Sequence, residues 1–209
     1  MKRIPFVIKF KSDQKEVGTE VLRRAWSEIK SVLDAVGAEN VSVWGIEDFL
    51  FCYGEYPEEF SIPAVNKDAW EQTLSPYMEL FAAPGTLSLM YHDIGIVRQD
   101  KSLIRHRVFA TRLKAGCAEE YKRRHDVLVE ARGDMVTEGP ESNFTIWNAK
   151  GYIFGYCELV KSFDHEMTEE EKAATIAWET RQLEIMDWLT DDVDWITGEK
   201  HDAIELICL

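Results

Sequence analysis

The chain is poor in cysteine and in basic charge, and it has no long apolar run. Its four cysteines, Cys52, Cys117, Cys157 and Cys208, include no C-x-x-C pair, so neither a zinc ribbon nor a dense disulfide framework is encoded. They are expected to be reduced thiols, two of them in strands, as in a reducing compartment. Lys and Arg number 24 against 38 Asp and Glu, a formal charge of -14. That deficit argues against a nucleic-acid partner, because phosphate neutralisation needs clustered cations. No segment approaches the roughly 20 apolar residues of a bilayer-spanning helix. The stretch "MKRIPFVIKFKSDQKE" develops no signal-peptide core, since Lys9 and Lys11 interrupt it. A cytoplasmic protein with no membrane partner is expected.

Signatures of bound cofactors are missing as well. There is no G-x-G-x-x-G, Walker loop or nucleophile elbow, and "GYIFGY" has the pattern of a strand. Among His92, His106, His125, His165 and His201 no two have the i, i+4 spacing of a zinc helix, and His165-Glu166 lacks a second histidine. The acidic "DDVDW" (191–195) is expected to be a solvated loop. No metal and no organic cofactor is expected.

What is present is an internal repeat, the signal to seek first. "ENVSVWGIEDFLFCYGEY" (39–56) aligns without a gap on "SNFTIWNAKGYIFGYCEL" (142–159), at a constant offset of 103. Asn40 and Asn143, Trp44 and Trp147, Phe51 and Phe154, Tyr53 and Tyr156, and Glu55 and Glu158 are identical pairs. Each copy has the pattern of a hairpin, with alternating "NVSVW" or "NFTIW", a short turn and a return strand. "IPFVIKFK" (4–11) and "RHRVFATRLK" (105–114) are predicted first strands, each leading into a helix, 18–37 and 117–136. In the first helix Val21, Trp26, Ile29, Val32, Leu33 and Val36 fall near helical spacing for one buried stripe. Second helices are predicted over 66–81, where Pro76 should interrupt, and over 168–189, where Thr168 and Glu171 match a capping box. "GTLSLMYHDIGIV" and "HDAIELICL" are the predicted closing strands.

The expected fold class is therefore α+β, with two tandem ferredoxin-like (βαββαβ) repeats at 1–98 and 104–209. A four-stranded sheet with both helices on one face leaves the other face bare. The two sheets are expected to pack sheet to sheet as an intramolecular α/β barrel.

The stretch "AEEYKRRHDVLVEARGD" (118–134) puts Tyr121 and His125 one helical turn apart on one face. A histidine so placed is either a satisfied core residue or, if the face lines a cavity, an acid or base. "EEYKRRHD", followed eighteen residues after its histidine by "NFTIW" and then by "YIFGYCEL", resembles the L-rhamnose mutarotase family, small proteins of the dimeric α/β barrel type. In the first copy, "AWSEIKSVLDAVGAEN" is similar to the same family. The resemblance covers most of the chain in outline, and its motifs about a third.

That resemblance implies a general acid/base histidine on the first helix, matched by His125. It implies sugar binding by a tyrosine on the second strand, where this chain has Phe144, and by paired tryptophans near Gln182 and Leu183. The pair is missing, although Trp178 and Trp188 fall on the same predicted helix. In the first copy the histidine position is Leu22 without gaps, or Ala25 if the Arg-Arg pairs are matched, and the strand position is Val41. One active site, in the second copy, is the expectation. Its candidate substrate-binding residues are Tyr121, Arg124, Phe144 and Trp147; Arg107 and Arg112 could add polar lining.

The leading expectation is a cofactor-free mutarotase acting on a monosaccharide, with His125 moving the proton, as a monomeric pseudo-dimer or a homodimer. The rivals are a non-catalytic small-molecule binder on the same scaffold, and a cofactor-independent monooxygenase or decarboxylase of the same barrel class. A mostly apolar cavity would favour the last of these, whereas a sugar site should carry converging polar groups.

Overall fold

The computed structural model describes all residues except 61–69, 163–166 and 192–203. His165, His201, most of the "DDVDW" loop and the start of the predicted helix 66–81 lie outside the described residues. In chain order the elements are β1 (Lys2–Arg3), β2 (Phe6–Phe10), α1 (Lys15–Ala35), β3 (Glu39–Ile46), β4 (Phe49–Tyr56), β5 (Met78–Ala82) and β6 (Ser88–Asp93). They continue with β7 (Ile104–Leu113), α2 (Ala118–Arg132), β8 (Glu141–Ala149), β9 (Tyr152–Val160), α3 (Glu169–Gln182), β10 (Met186–Asp191) and β11 (Ile204–Cys208). The fold is α+β.

Two compact units divide the chain: residues 1–87 with 205–209, and residues 88–204. The first contains the sheet β11-β3-β4-β2-β5, with β1 also paired to β4; the second contains β10-β7-β9-β8-β6. Both sheets share a ferredoxin-like core order, β5-β2-β4-β3 and β10-β7-β9-β8. Each is then extended by a fifth strand at β3 or β8. The strand that follows β5 joins the second sheet, and the last strand of the chain joins the first. The units therefore do not divide at 98 and 104, where the repeats were expected to meet.

β5 and β10 occupy the ends of the two predicted second helices. In the first unit one helical turn, Trp70–Leu74, gives way before Pro76, whose ring and missing N–H oppose a continuing helix. "MELFA" then runs as β5. In the second unit α3 begins with the predicted capping box: Glu171 N–H donates to Thr168 Oγ1 at 3.2 Å, and Thr168 N–H to Glu171 Oε2 at 2.7 Å. It stops at Gln182, and "MDWLTD" alternates as β10. The first helix ends as its glycine dictates. Gly37 takes φ +72°, its N–H donates to Asp34 O, and Ala38 N–H donates to Leu33 O, a Schellman arrangement. Its buried face runs through Gly18 and Leu22, flanked by Val21, Trp26 and Ile29, whereas Val32 is exposed.

The identical repeat residues build the same buried network in each unit. Asn40 and Asn143 adopt positive φ, 49° and 56°, at register shifts in β3 and β8. Asn40 Nδ2 donates to Glu55 Oε1 at 2.7 Å and Tyr53 OH donates to the same oxygen at 3.0 Å. In the second unit Asn143 and Tyr156 donate to Glu158 Oε1 at 3.1 and 3.2 Å. There Lys101 Nζ also reaches both Glu158 oxygens, at 2.8 and 2.9 Å.

Glu158 is fully buried, and that ammonium brings a cation to its carboxylate. Lys101→Met is expected to destabilise the protein by about 3 kcal/mol, since it removes a cation from a buried carboxylate. The urea midpoint of unfolding would measure this. A loss below about 1 kcal/mol, the worth of an exposed ion pair, would show that water reaches the carboxylate.

Candidate functional site

α2 turns Tyr121, Arg124 and His125 inward, and all three are buried. Opposite them, successive strand residues alternate faces, so Phe144 and Ile146 of β8 look toward the helices. Between α2, α3 and this face of the second sheet lies a cavity of about 130 Å³. Its size is on the order of the roughly 150 Å³ cavity known to hold a benzene ring. The wall is largely aromatic, with Tyr91, Phe109, Tyr121, Phe144, Trp178 and Trp188. His125, Thr175, Glu179 and Gln182 supply polar atoms.

His125 sits among rings: Tyr121 at 4.3 Å between centroids, Tyr91 and Trp178 each at 5.5 Å. Its Nδ1 lies 2.9 Å from the Tyr121 backbone carbonyl oxygen. A carbonyl can only accept, so Nδ1 carries the hydrogen and Nε2 keeps its lone pair. Burial lowers the pKa of the imidazole, against the opposing pull of the Tyr121 carbonyl and of Asp126. The ring is therefore a neutral base at neutral pH. Burial also raises the pKa of both flanking phenols, with Asp93 adding to the effect at Tyr91. Both stay protonated and can donate hydrogen bonds.

Gln182, the last residue of α3, is 2% exposed on this wall, and its Oε1 and Nε2 have no partner among the described residues. A buried polar group left unpaired costs roughly 1–3 kcal/mol.

Of the residues singled out from sequence, His125, Tyr121 and Phe144 come together here. Trp147 and Arg124 do not. Trp147 follows Ile146 and so faces the opposite side of β8, buried but off the cavity wall. Arg124 spends its guanidinium elsewhere, donating to Glu120 Oε1 at 2.8 Å, to Glu184 Oε2 at 2.9 Å and to the Arg181 carbonyl oxygen. It braces the end of α3 that carries Trp178 and Gln182. Arg107 pairs with Glu141 at 3.4 Å and Arg112 lies over the Tyr152 ring, so neither adds polar lining. Tyr91 could not be found by motif, because it joins this wall only through the pairing of β6 with β8.

The ungapped offset of 103 places Gly18 where α2 has Tyr121, and Leu22 where it has His125. Leu22 is buried in an apolar cluster with Ile8, Val43, Leu50 and Cys52. Phe10 packs against Gly18, whose Cβ would meet that ring at 3.0 Å. This position in the first unit has no group to move a proton.

Residues 106–204 match the family model for L-rhamnose mutarotase. The match covers just under half of the chain, and it is a similarity of this segment to that family. The matched segment holds every cavity residue named above except Tyr91, which β6 supplies from outside the match. The match is consistent with a sugar mutarotase-like role for this segment. No curated protein matches the chain. Among solved structures, a Fusobacterium nucleatum protein provisionally named a monooxygenase aligns over 95% of this chain and 98% of its own, at 13% identity and a TM-score of 0.44.

Proposed function

We propose that the second unit interconverts the anomers of a free aldopyranose, L-rhamnose or a close relative, with His125 as the acid/base. The observation that carries this reading is a neutral imidazole on the wall of a ring-sized cavity, its Nδ1 engaged by its own helix and its Nε2 lone pair unspent.

Ring opening needs one proton removed from the anomeric hydroxyl and one delivered to the ring oxygen. Both oxygens are bonded to the same carbon, so a single imidazole nitrogen can serve both. Nε2 takes the hydroxyl proton as the bond from the anomeric carbon to the ring oxygen breaks. The bonding pair goes to the ring oxygen, which receives the proton back from the imidazolium. The open aldehyde turns about its bond to the next carbon and closes on the other face by the same steps reversed. The protonated phenols of Tyr91 and Tyr121 can hold the sugar oxygens by hydrogen bonds. Trp178 and Phe144 can cover the less polar face of the ring.

The test is anomer exchange by NMR saturation transfer, on L-rhamnose and a panel of other free sugars. Acceleration of at least one is expected. The pH dependence has a definite sign. Only neutral imidazole accepts a proton, and burial lowers its pKa from the ordinary value of about 6.5. Activity should therefore be full at pH 7 and be lost only as pH falls through a midpoint below 6.5. A midpoint above that value would mean the ring is stabilised as a cation and is not the base.

A second reading is a sugar binder without turnover. It is favoured by Phe144 and Gln182, which stand where the family's sugar-binding tyrosine and a tryptophan are expected. Binding with no acceleration on any sugar would establish it.

A further inference from the structure

The carboxamide of Gln182, a residue of the cavity wall, is buried with both a donor and an acceptor unpartnered among the described residues. A primary amide presents its oxygen and its NH2 side by side, so it can accept from one hydroxyl and donate to an adjacent oxygen. The apolar part of the wall, Phe109, Phe144, Ile146 and Met186, can only cover a ring face. It cannot tell one hydroxyl pattern from another.

We infer that Gln182 is a specificity-determining residue of this cavity and binds two adjacent hydroxyls of the ligand, a vicinal diol on a ring. The inference rests on the sugar reading above and narrows it to sugars that keep that diol. The side chain is free for the task because the helix end is held by other atoms. Arg124 holds the Arg181 carbonyl, and Ile185 N–H donates to the Gln182 carbonyl at 2.9 Å. A site that hydrogen-bonds a hydroxyl rejects the analogue lacking it, whereas an apolar pocket discriminates weakly.

Gln182→Leu tests this, since leucine has a similar volume and no polar atoms. Binding of L-rhamnose and of its 2-, 3- and 4-deoxy analogues would be measured by calorimetry for wild type and variant. Anomer exchange and thermal unfolding would be measured beside it. Wild type is expected to bind L-rhamnose at least about 10-fold more tightly than at least one analogue, as hydrogen-bond recognition requires. The variant should lose that margin, with a Tm equal to or above wild type because two unpartnered polar atoms are gone.

Unchanged discrimination in the variant, or a clear fall in its Tm, overturns the inference. The first outcome would leave the mutarotase reading intact if exchange persists. Binding that depends on Gln182 with no exchange would sink the mutarotase reading and uphold this one. Wild type that binds none of the four sugars overturns both.

Discussion

His125→Ala is expected to lower enzyme-accelerated anomer exchange by about 10²- to 10⁴-fold, the usual worth of a positioned general acid/base. The imidazole is 5% exposed, so alanine also leaves a void beside Tyr121 and Trp178. His125→Asn separates the two effects. Its amide can still donate to the Tyr121 carbonyl in place of Nδ1, but it cannot carry a proton near neutral pH. Both variants should bind sugar and neither should accelerate exchange, with kcat falling while KM changes little. Saturation transfer gives the rate, and thermal unfolding reports whether the asparagine variant is folded. A folded variant that keeps most of the wild-type exchange rules His125 out as the proton carrier.

Gly155→Ala is the second large effect, and it acts from the strand beneath the cavity. Gly155 pairs with Phe109 across β9 and β7, and the phenyl ring lies over the glycine. A Cβ there would come within 2.0 and 2.2 Å of ring atoms Cε1 and Cζ. The ring must move, and the space open to it is the cavity it lines. Overpacking of this kind costs about 1–3 kcal/mol. Exchange should be lost along with stability, since the displaced ring fills the ligand site. Pairing Gly155→Ala with Phe109→Leu should restore much of the stability, a coupling that a double-mutant cycle in urea would measure. An alanine variant with unchanged midpoint and activity would mean that the ring has another resting place. In the first unit the same register pairs Phe6 with Cys52, whose thiol is packed in the apolar core.

Local pattern disclosed much of this molecule. The hairpins 39–56 and 142–159, the capping box at Thr168 and the helix stop at Gly37 all depend on neighbours within a few residues, and all were legible. The identical pairs Asn40/Asn143, Tyr53/Tyr156 and Glu55/Glu158 were visible as a repeat. Their purpose, a buried carboxylate shared by an amide and a phenol, was not. The helices 66–81 and 168–189 were drawn too long because "MELFA" and "MDWLTD" fit a helix end as well as an edge strand. Only partner strands settle such short segments.

For the site, the Tyr121–His125 spacing on one helix put the two side chains on one face, because helical geometry is local, and the family resemblance nominated His125 as the acid/base. Trp147 was nominated by its aromatic character, yet the single-residue alternation of β8 turns it from the cavity that Phe144 and Ile146 face. Arg124 was nominated by its charge, and the acceptors at the end of α3 consume it.

The amino-acid sequence by itself determined the α+β class, the two hairpin-bearing halves, the resemblance of the second half to the mutarotase family and the histidine of its first helix. Periodicity, turns and caps are short-range properties of the chain. Only the tertiary structure decided that each sheet takes its fifth strand from the far end of the other half, which brings Tyr91 beside His125. Only it decided that Gln182 ends α3 with both polar atoms buried at a cavity wall. Strand partners and unpaired buried atoms depend on residues distant along the chain, and no local pattern encodes them.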